Sequence, residues 1–191
     1  MPSSRSRSRA AALVLLAVLA GASGCGEAQE QQRPAKPFND ADVEFVATAG
    51  PHLTVTVTTA RTAEDRARDA DVRQLAEEVA VSQGKHADAV SAWVSEWGEQ
   101  GAPFSHGDED RFAHEVTAGF TVETVATLSS SSKARFDRFY LRSLLEHLEA
   151  GRTIWRSEAA NGRDEEARDL AEQILAEQED LSRAAAGLLR R

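Results

Sequence analysis

The chain is poor in sulfur. Cys25 is its only cysteine and Met1 its only methionine. A single cysteine cannot close an intrachain disulfide, so the fold must stand on its core. Without thioethers beyond Met1, a methionine-type Cu(I) site is excluded, because that ion selects soft ligands. Basic residues are also scarce: 22 against 31 acidic, for a formal net charge of −9. That balance argues against nucleic acid or an anionic lipid surface as partner, since both call for a basic face. Glycine-rich phosphate loops and the H-E-x-x-H and G-x-S-x-G patterns are missing, and Ser129 to Ser132 reads as a linker rather than a nucleophile site. The expectation is a non-enzymatic protein.

Long apolar runs are confined to the start. Ala10 to Ala20 follows Arg5, Arg7 and Arg9, the layout of a signal peptide, and is too short to span a bilayer. It leads into Ala22-Ser23-Gly24-Cys25, which resembles the lipobox of bacterial lipoproteins; the alternative is ordinary cleavage after Ala22. Residues 1–25 are therefore expected to be a signal peptide ending at a lipidated Cys25. Residues 26–37, rich in Gln with two prolines, form a flexible tether. The expected location is outside the cytoplasm, on the outer face of the plasma membrane, held by the lipid on Cys25.

What the chain has in place of these features is a repeat. Asp71 to Gln83 (DVRQLAEEVAVSQ) and Glu166 to Gln178 (EARDLAEQILAEQ) match outright at Arg73/Arg168, Leu75/Leu170, Ala76/Ala171, Glu77/Glu172 and Gln83/Gln178. The offset is 95 residues, and carried backwards it sets His52 over His147, Asp42 over Asp137 and Phe45 over Tyr140. A common offset over this length points to a duplicated helix pair, and two helix pairs can close a four-helix bundle.

The predicted fold is all-α: repeat one over 38–98, a connector over 99–133 and repeat two over 134–190. Helix one should start at Asn39 or Asp40 and bend at Pro51. Its stretch Leu53 to Thr59 (LTVTVTT) would read locally as a strand, but the helical spacing of the second copy assigns it to helix. Helix two spans about 69–97 and helix three about 134–158, with a turn at Asn161-Gly162. Helix four spans 164–189, with Ala167, Leu170, Ile174, Glu177, Leu181, Ala184 and Leu188 facing inward. The connector holds a short crossover helix at VETVATL, and His106 and His114 in loop-like context.

FNDADVEF at Phe38 to Phe45, Pro51-His52, the R-x-L-A-E…Q stretch, Trp93…Trp97-Gly98 and RFDRFYL at Arg135 to Leu141 together resemble the domain-of-unknown-function family 305. The resemblance implies an exported, ferritin-like four-helix protein whose members carry a Met-x-x-His-His core and look like handlers of copper or other metals. Here those places hold Ala49, His52, Leu53 and Thr59 in copy one, and Leu144, His147, Leu148 and Ile154 in copy two.

His52 and His147 are accordingly the candidate ligands, suited to Cu²⁺ or Zn²⁺ rather than Cu(I); the competing reading is a hydrogen-bonded pair of core histidines. Gln83, His86, Glu177 and Gln178 are candidate supporting polar groups. Glu177 must either find a cationic partner or lie at a seam edge facing water. A di-iron centre, which needs Glu-x-x-His on two helices, is approached only by Gln83-x-x-His86, and no redox chemistry is expected from it. The two functions carried forward are weak metal buffering through the histidines and a structural or partner-binding lipoprotein without metal.

Overall fold

The computed structural model describes residues 35–104 and 119–191; Cys25, most of the tether, His106 and His114 lie outside them. Five α-helices occur among the described residues: α1 (Asp40–Arg66), α2 (Ala70–Glu99), α3 (Val122–Ser130), α4 (Lys133–Asn161) and α5 (Glu165–Leu189). Helices α1 and α2 pack as one hairpin and α4 and α5 as the other; α1 lies on α4 and α2 on α5, closing an all-α bundle, with α3 resting on α4.

Of the two starts expected for helix one, Asn39 is the cap. The Asn39 side chain accepts from the N–H groups of Ala41 and Asp42, while Asp42 reaches back to the Asn39 N–H. Asp69 and Asp164 cap α2 and α5. Helix α1 runs without interruption through Gly50-Pro51 and the Val/Thr stretch, because burial decides the matter. Leu53, Thr56, Ala60 and Ala63 fall on one helical face and are buried, a spacing no strand could satisfy. The outward Thr54, Thr58 and Thr62 hydroxyls donate to the carbonyls of Gly50, Thr54 and Thr58, 2.8–3.0 Å away, which removes the polar objection to threonine inside a helix.

Two expectations are corrected. Ser129 and Ser130 belong to α3 rather than to a linker; Arg66 donates to the carbonyls of Ser129 and Ser131 at the end of that helix. On α5 the buried seam is Ala167, Ala171, Ile174, Gln178, Leu181 and Ala185, whereas Ala184 is exposed and Leu170, Glu177 and Leu188 are half-buried. Ala167, Ile174 and Leu181 are inward as expected, while Ala171, Gln178 and Ala185 take the places expected for Leu170, Glu177 and Ala184.

The duplication is visible in the braces between hairpins. The Asp42 carboxylate of α1 accepts from the N–H groups of Arg163 and Asp164 in the α4–α5 turn, at 2.9–3.0 Å. Asp137 of α4, at the same repeat position, accepts from the N–H groups of Arg68 and Asp69 in the α1–α2 turn, at 3.1 and 2.9 Å. Each hairpin's first helix therefore ties down the turn of the other, at positions related by the same 95-residue offset.

The apolar interior falls into two clusters. One gathers Ala60, Ala63, Val72, Leu75, Val79, Phe120, Phe136, Tyr140, Leu144, Leu148 and Leu181. The other holds Phe45, Leu53, Val90, Trp93, Trp97, Ile154, Trp155, Ala167 and Ile174. Along each of the four long helices, the crossover from one cluster to the other coincides with polar or small residues.

Candidate functional site

That crossover is the bundle's polar mid-layer. Helix α1 supplies His52 and Thr56, α2 supplies Gln83 and His86, α4 supplies His147 and Gly151, and α5 supplies Glu177 and Gln178. His52, Thr56, Gln83, His147 and Gln178 are each 0% exposed. The periodicity that buries Leu53 and Leu148 carries the adjacent histidines inward as well, so the layer follows from the helical register itself.

The structure brings His52 and His147 into direct contact: the rings stack with centroids 3.8 Å apart and planes 8° from parallel. The His147 Nε2 lies 2.7 Å from Thr56 Oγ1 and 3.3 Å from the His52 carbonyl oxygen. Thr56 also donates to that carbonyl at 2.7 Å, so in this network His147 Nε2–H donates to the Thr56 oxygen. Its repeat equivalent beside His52 is Gly151, where a β-carbon would stand 2.6 Å from His52 Nε2. Trp155 closes edge-on against His52 at 5.5 Å, and Phe120 lies over His147 at 4.7 Å. Phe120 is placed by Gly119, whose φ of +86° suits only glycine and whose β-carbon would strike the His147 backbone nitrogen at 2.4 Å.

These contacts bear on metal binding. Imidazole lone pairs lie in the ring plane, and metal–nitrogen bonds of about 2.0–2.1 Å follow them. An ion midway between two near-parallel stacked rings would sit over their faces, away from both lone pairs. In this arrangement the two histidines do not fit a metal held by both at once. Among the described residues no group of three or more His, Cys, Asp or Glu side chains is close enough to hold an ion.

The supporting residues divide. His86 Nε2 and Glu177 Oε2 are hydrogen-bonded at 2.7 Å between α2 and α5. Burial raises the Glu177 carboxyl, but the hydrogen bonds from His86 and Gln173 and the nearby Lys85 outweigh it and hold the group below its ordinary value. Both alternatives for Glu177 are thus met in part: it has His86 as a hydrogen-bond partner and its side chain is 31% exposed, at the seam edge. Gln83 and Gln178 are fully buried, and none of their amide atoms makes a hydrogen bond among the described residues.

Thr56, Gly151, Gly119 and Phe120 escaped the sequence reading. The offset that pairs the histidines also aligns Thr56 with Gly151, and Gly119-Phe120 lies just before α3. Nothing in the sequence gave their proximity to the rings.

A second cluster was also missed. Glu158 of α4 is 1% exposed and faces the Asp42 carboxyl. Burial, the hydrogen bond to Asp42 and the charges of Asp42 and Asp164 push it up to about 8, against a smaller opposing effect of Arg168. Burial would raise Asp42 too, but the N–H groups of Asn39, Asp164 and Arg163, with Glu158, hold it low. The two carboxyls are thus shifted in opposite directions, Glu158 towards holding its proton and Asp42 towards giving it up.

Comparison with known proteins places this architecture. Two solved structures share the fold: a DUF305 fragment from Deinococcus radiodurans, at a TM-score of 0.69 and 24% identity over 82% of this chain and 99% of that one, and a candidate secreted DUF305 protein from Streptomyces coelicolor, at 0.69 and 22% over 78% and 92%. No curated protein matches the chain. The model of the domain of unknown function DUF305 matches residues 42–185, which takes in most of both repeats, both histidines and the mid-layer, and the chain belongs to that family.

Proposed function

We propose that this is an exported, lipid-anchored, non-enzymatic helical-bundle protein whose histidine pair fixes the packing of the two hairpins and whose role is structural or partner-binding. The observation that carries the reading is the stacked pair. Its rings are parallel, His147 Nε2 is engaged with Thr56, and Gly151 leaves the space that the His52 ring fills. A buried polar pair of this kind specifies which helix faces meet, because a slipped register would bury the imidazoles without partners. Export rests on the basic, apolar N-terminal segment and Cys25, and agrees with the description of the Streptomyces coelicolor neighbour as a candidate secreted protein.

A second reading, weak buffering of Cu²⁺ or Zn²⁺ by His52 and His147, draws on their shared repeat position. It requires the rings to swing out of the stack and His147 to leave Thr56. Calorimetric titration of wild type and His147→Ala with both ions separates the two. Under the structural reading the isotherms are the same for both proteins and His147→Ala lowers the unfolding midpoint. A saturable site in wild type that disappears in His147→Ala would establish metal binding instead.

A further inference from the structure

Away from the mid-layer, an open hollow of about 450 Å³ lies where the end of α3 meets the start of α4. Its wall is a row of three arginines, Arg135, Arg138 and Arg142, spaced to share one face of α4. All three are exposed, and among the described residues no ion pair or side-chain hydrogen bond engages their guanidinium groups. Arg138 and Arg142 stand one turn apart, where like charges repel. Phe139, half-buried and packed on the core, forms an apolar wall. Thr127 and Ser132 supply hydroxyls without hydrogen bonds among the described residues, whereas Ser130 and Ser131 donate theirs to carbonyls of α3.

The repeat separates what this region needs for folding from what it does not. The positions in α1 equivalent to Arg135, Arg138 and Arg142 are Asp40, Val43 and Ala47, and α1 folds into the same kind of helix with them. The arginine row is therefore no requirement of the hairpin, and in a chain with net charge −9 it is a local concentration of uncompensated positive charge. Guanidinium forks match tetrahedral oxyanions, and the hollow falls in the volume range of small-molecule sites, about 300–1,000 Å³. We infer that the Arg135–Arg138–Arg142 hollow binds a phosphate monoester or diester carried on a small organic group, with the arginines on the phosphate and Phe139 against the organic part. The overall charge that argues against a broad basic face leaves room for a compact site of this kind.

Glycerol 3-phosphate serves as the soluble probe, and phosphatidylglycerol vesicles, with phosphatidylcholine as control, present the same chemistry as a headgroup. Both are titrated into the full chain carrying Cys25→Ala, so that no lipid on residue 25 contributes. Wild-type side chains should give saturable binding of glycerol 3-phosphate that weakens with salt. Arg135→Gln/Arg138→Gln/Arg142→Gln should lower affinity at least tenfold with an unchanged far-UV CD spectrum, since the side chains removed are exposed. Arg138→Lys, which keeps the charge and loses the fork, should fall between them. Binding to phosphatidylglycerol vesicles with the same arginine dependence would make the source a lipid headgroup, and binding of the soluble probe alone a free metabolite. Equal affinities for wild type and the triple variant, or no saturable binding of either probe, would overturn the inference.

Discussion

At the scale of single residues, the mid-layer depends on size as much as on polarity. His52 can lie flat on His147 only because residue 151 has no β-carbon; one placed there would meet His52 Nε2 at 2.6 Å and Trp155 Nε1 at 3.0 Å. Gly84, inside α2, has nothing within 4 Å of the equivalent point. The same substitution should therefore have opposite signs at the two sites. Gly151→Ala forces a buried ring aside and should destabilise by about 1–3 kcal/mol, the usual cost of overpacking. Gly84→Ala meets open space and removes backbone freedom from the unfolded chain, so it should stabilise by about 0.5–1 kcal/mol. Urea denaturation of both variants is the check; a Gly151→Ala protein as stable as wild type would mean that the stack does not need the space. The meeting of His52 and His147 was legible from their shared offset. Ring orientation was not, because it depends on Thr56 and Gly151, an aligned pair whose members differ and whose roles appear only once the helices are packed.

At the scale of elements, the hairpins are joined by side chains that act on each other's turns. Asp42 and Asp137 do so symmetrically, but only the Asp42 end carries a second carboxyl: the repeat equivalent of Glu158 is Ala63. The raised Glu158 carboxyl makes this end sensitive to pH. Glu158 rises from its ordinary 4.5 to about 8 on folding, so the folded state binds the proton more tightly than the unfolded chain. Its contribution is fully present below pH about 4.5 and is lost as pH rises through about 8. Asp42, held low, acts in the opposite sense, and its contribution is lost as pH falls below the ordinary carboxylate range. Glu158→Gln keeps the shape and a donor toward Asp42 without the titration. It should flatten the decline in stability between pH 5 and 8 and leave the variant more stable than wild type at pH 8.5. Thermal melts across that range test this, and parallel profiles for the two proteins would refute the raised Glu158 carboxyl. The helices and the Asn39 start of α1 were legible from sequence, whereas the braces were not: Asp42 and Asp137 stood out only as a pair at the repeat offset until the turns they hold lay beside them.

At the scale of the whole molecule, the repeat was the strongest sequence signal, since a constant offset constrains many positions together. It correctly overrode the local strand reading of Leu53 to Thr59. The connector has no counterpart in the repeat, which is why Phe120 over His147 and the arginine hollow beside α3 emerged only from the fold. Among the described residues no helix is long and apolar enough to cross a membrane, and in the proposed reading attachment falls to Cys25, joined to the bundle by the tether over 26–37. One acyl chain gives only marginal membrane binding, and stable anchoring takes two signals. A diacylated cysteine would meet that requirement and a free thiol would not. Cys25→Ala should therefore move the protein from the membrane fraction to the soluble exported fraction while leaving its unfolding midpoint unchanged, because the bundle takes nothing from residue 25. Mass spectrometry of the wild-type N-terminus gives the independent readout. Lipid mass on Cys25 supports the anchor, while a mature chain beginning at Ser23 without lipid would show ordinary signal cleavage and a freely secreted bundle.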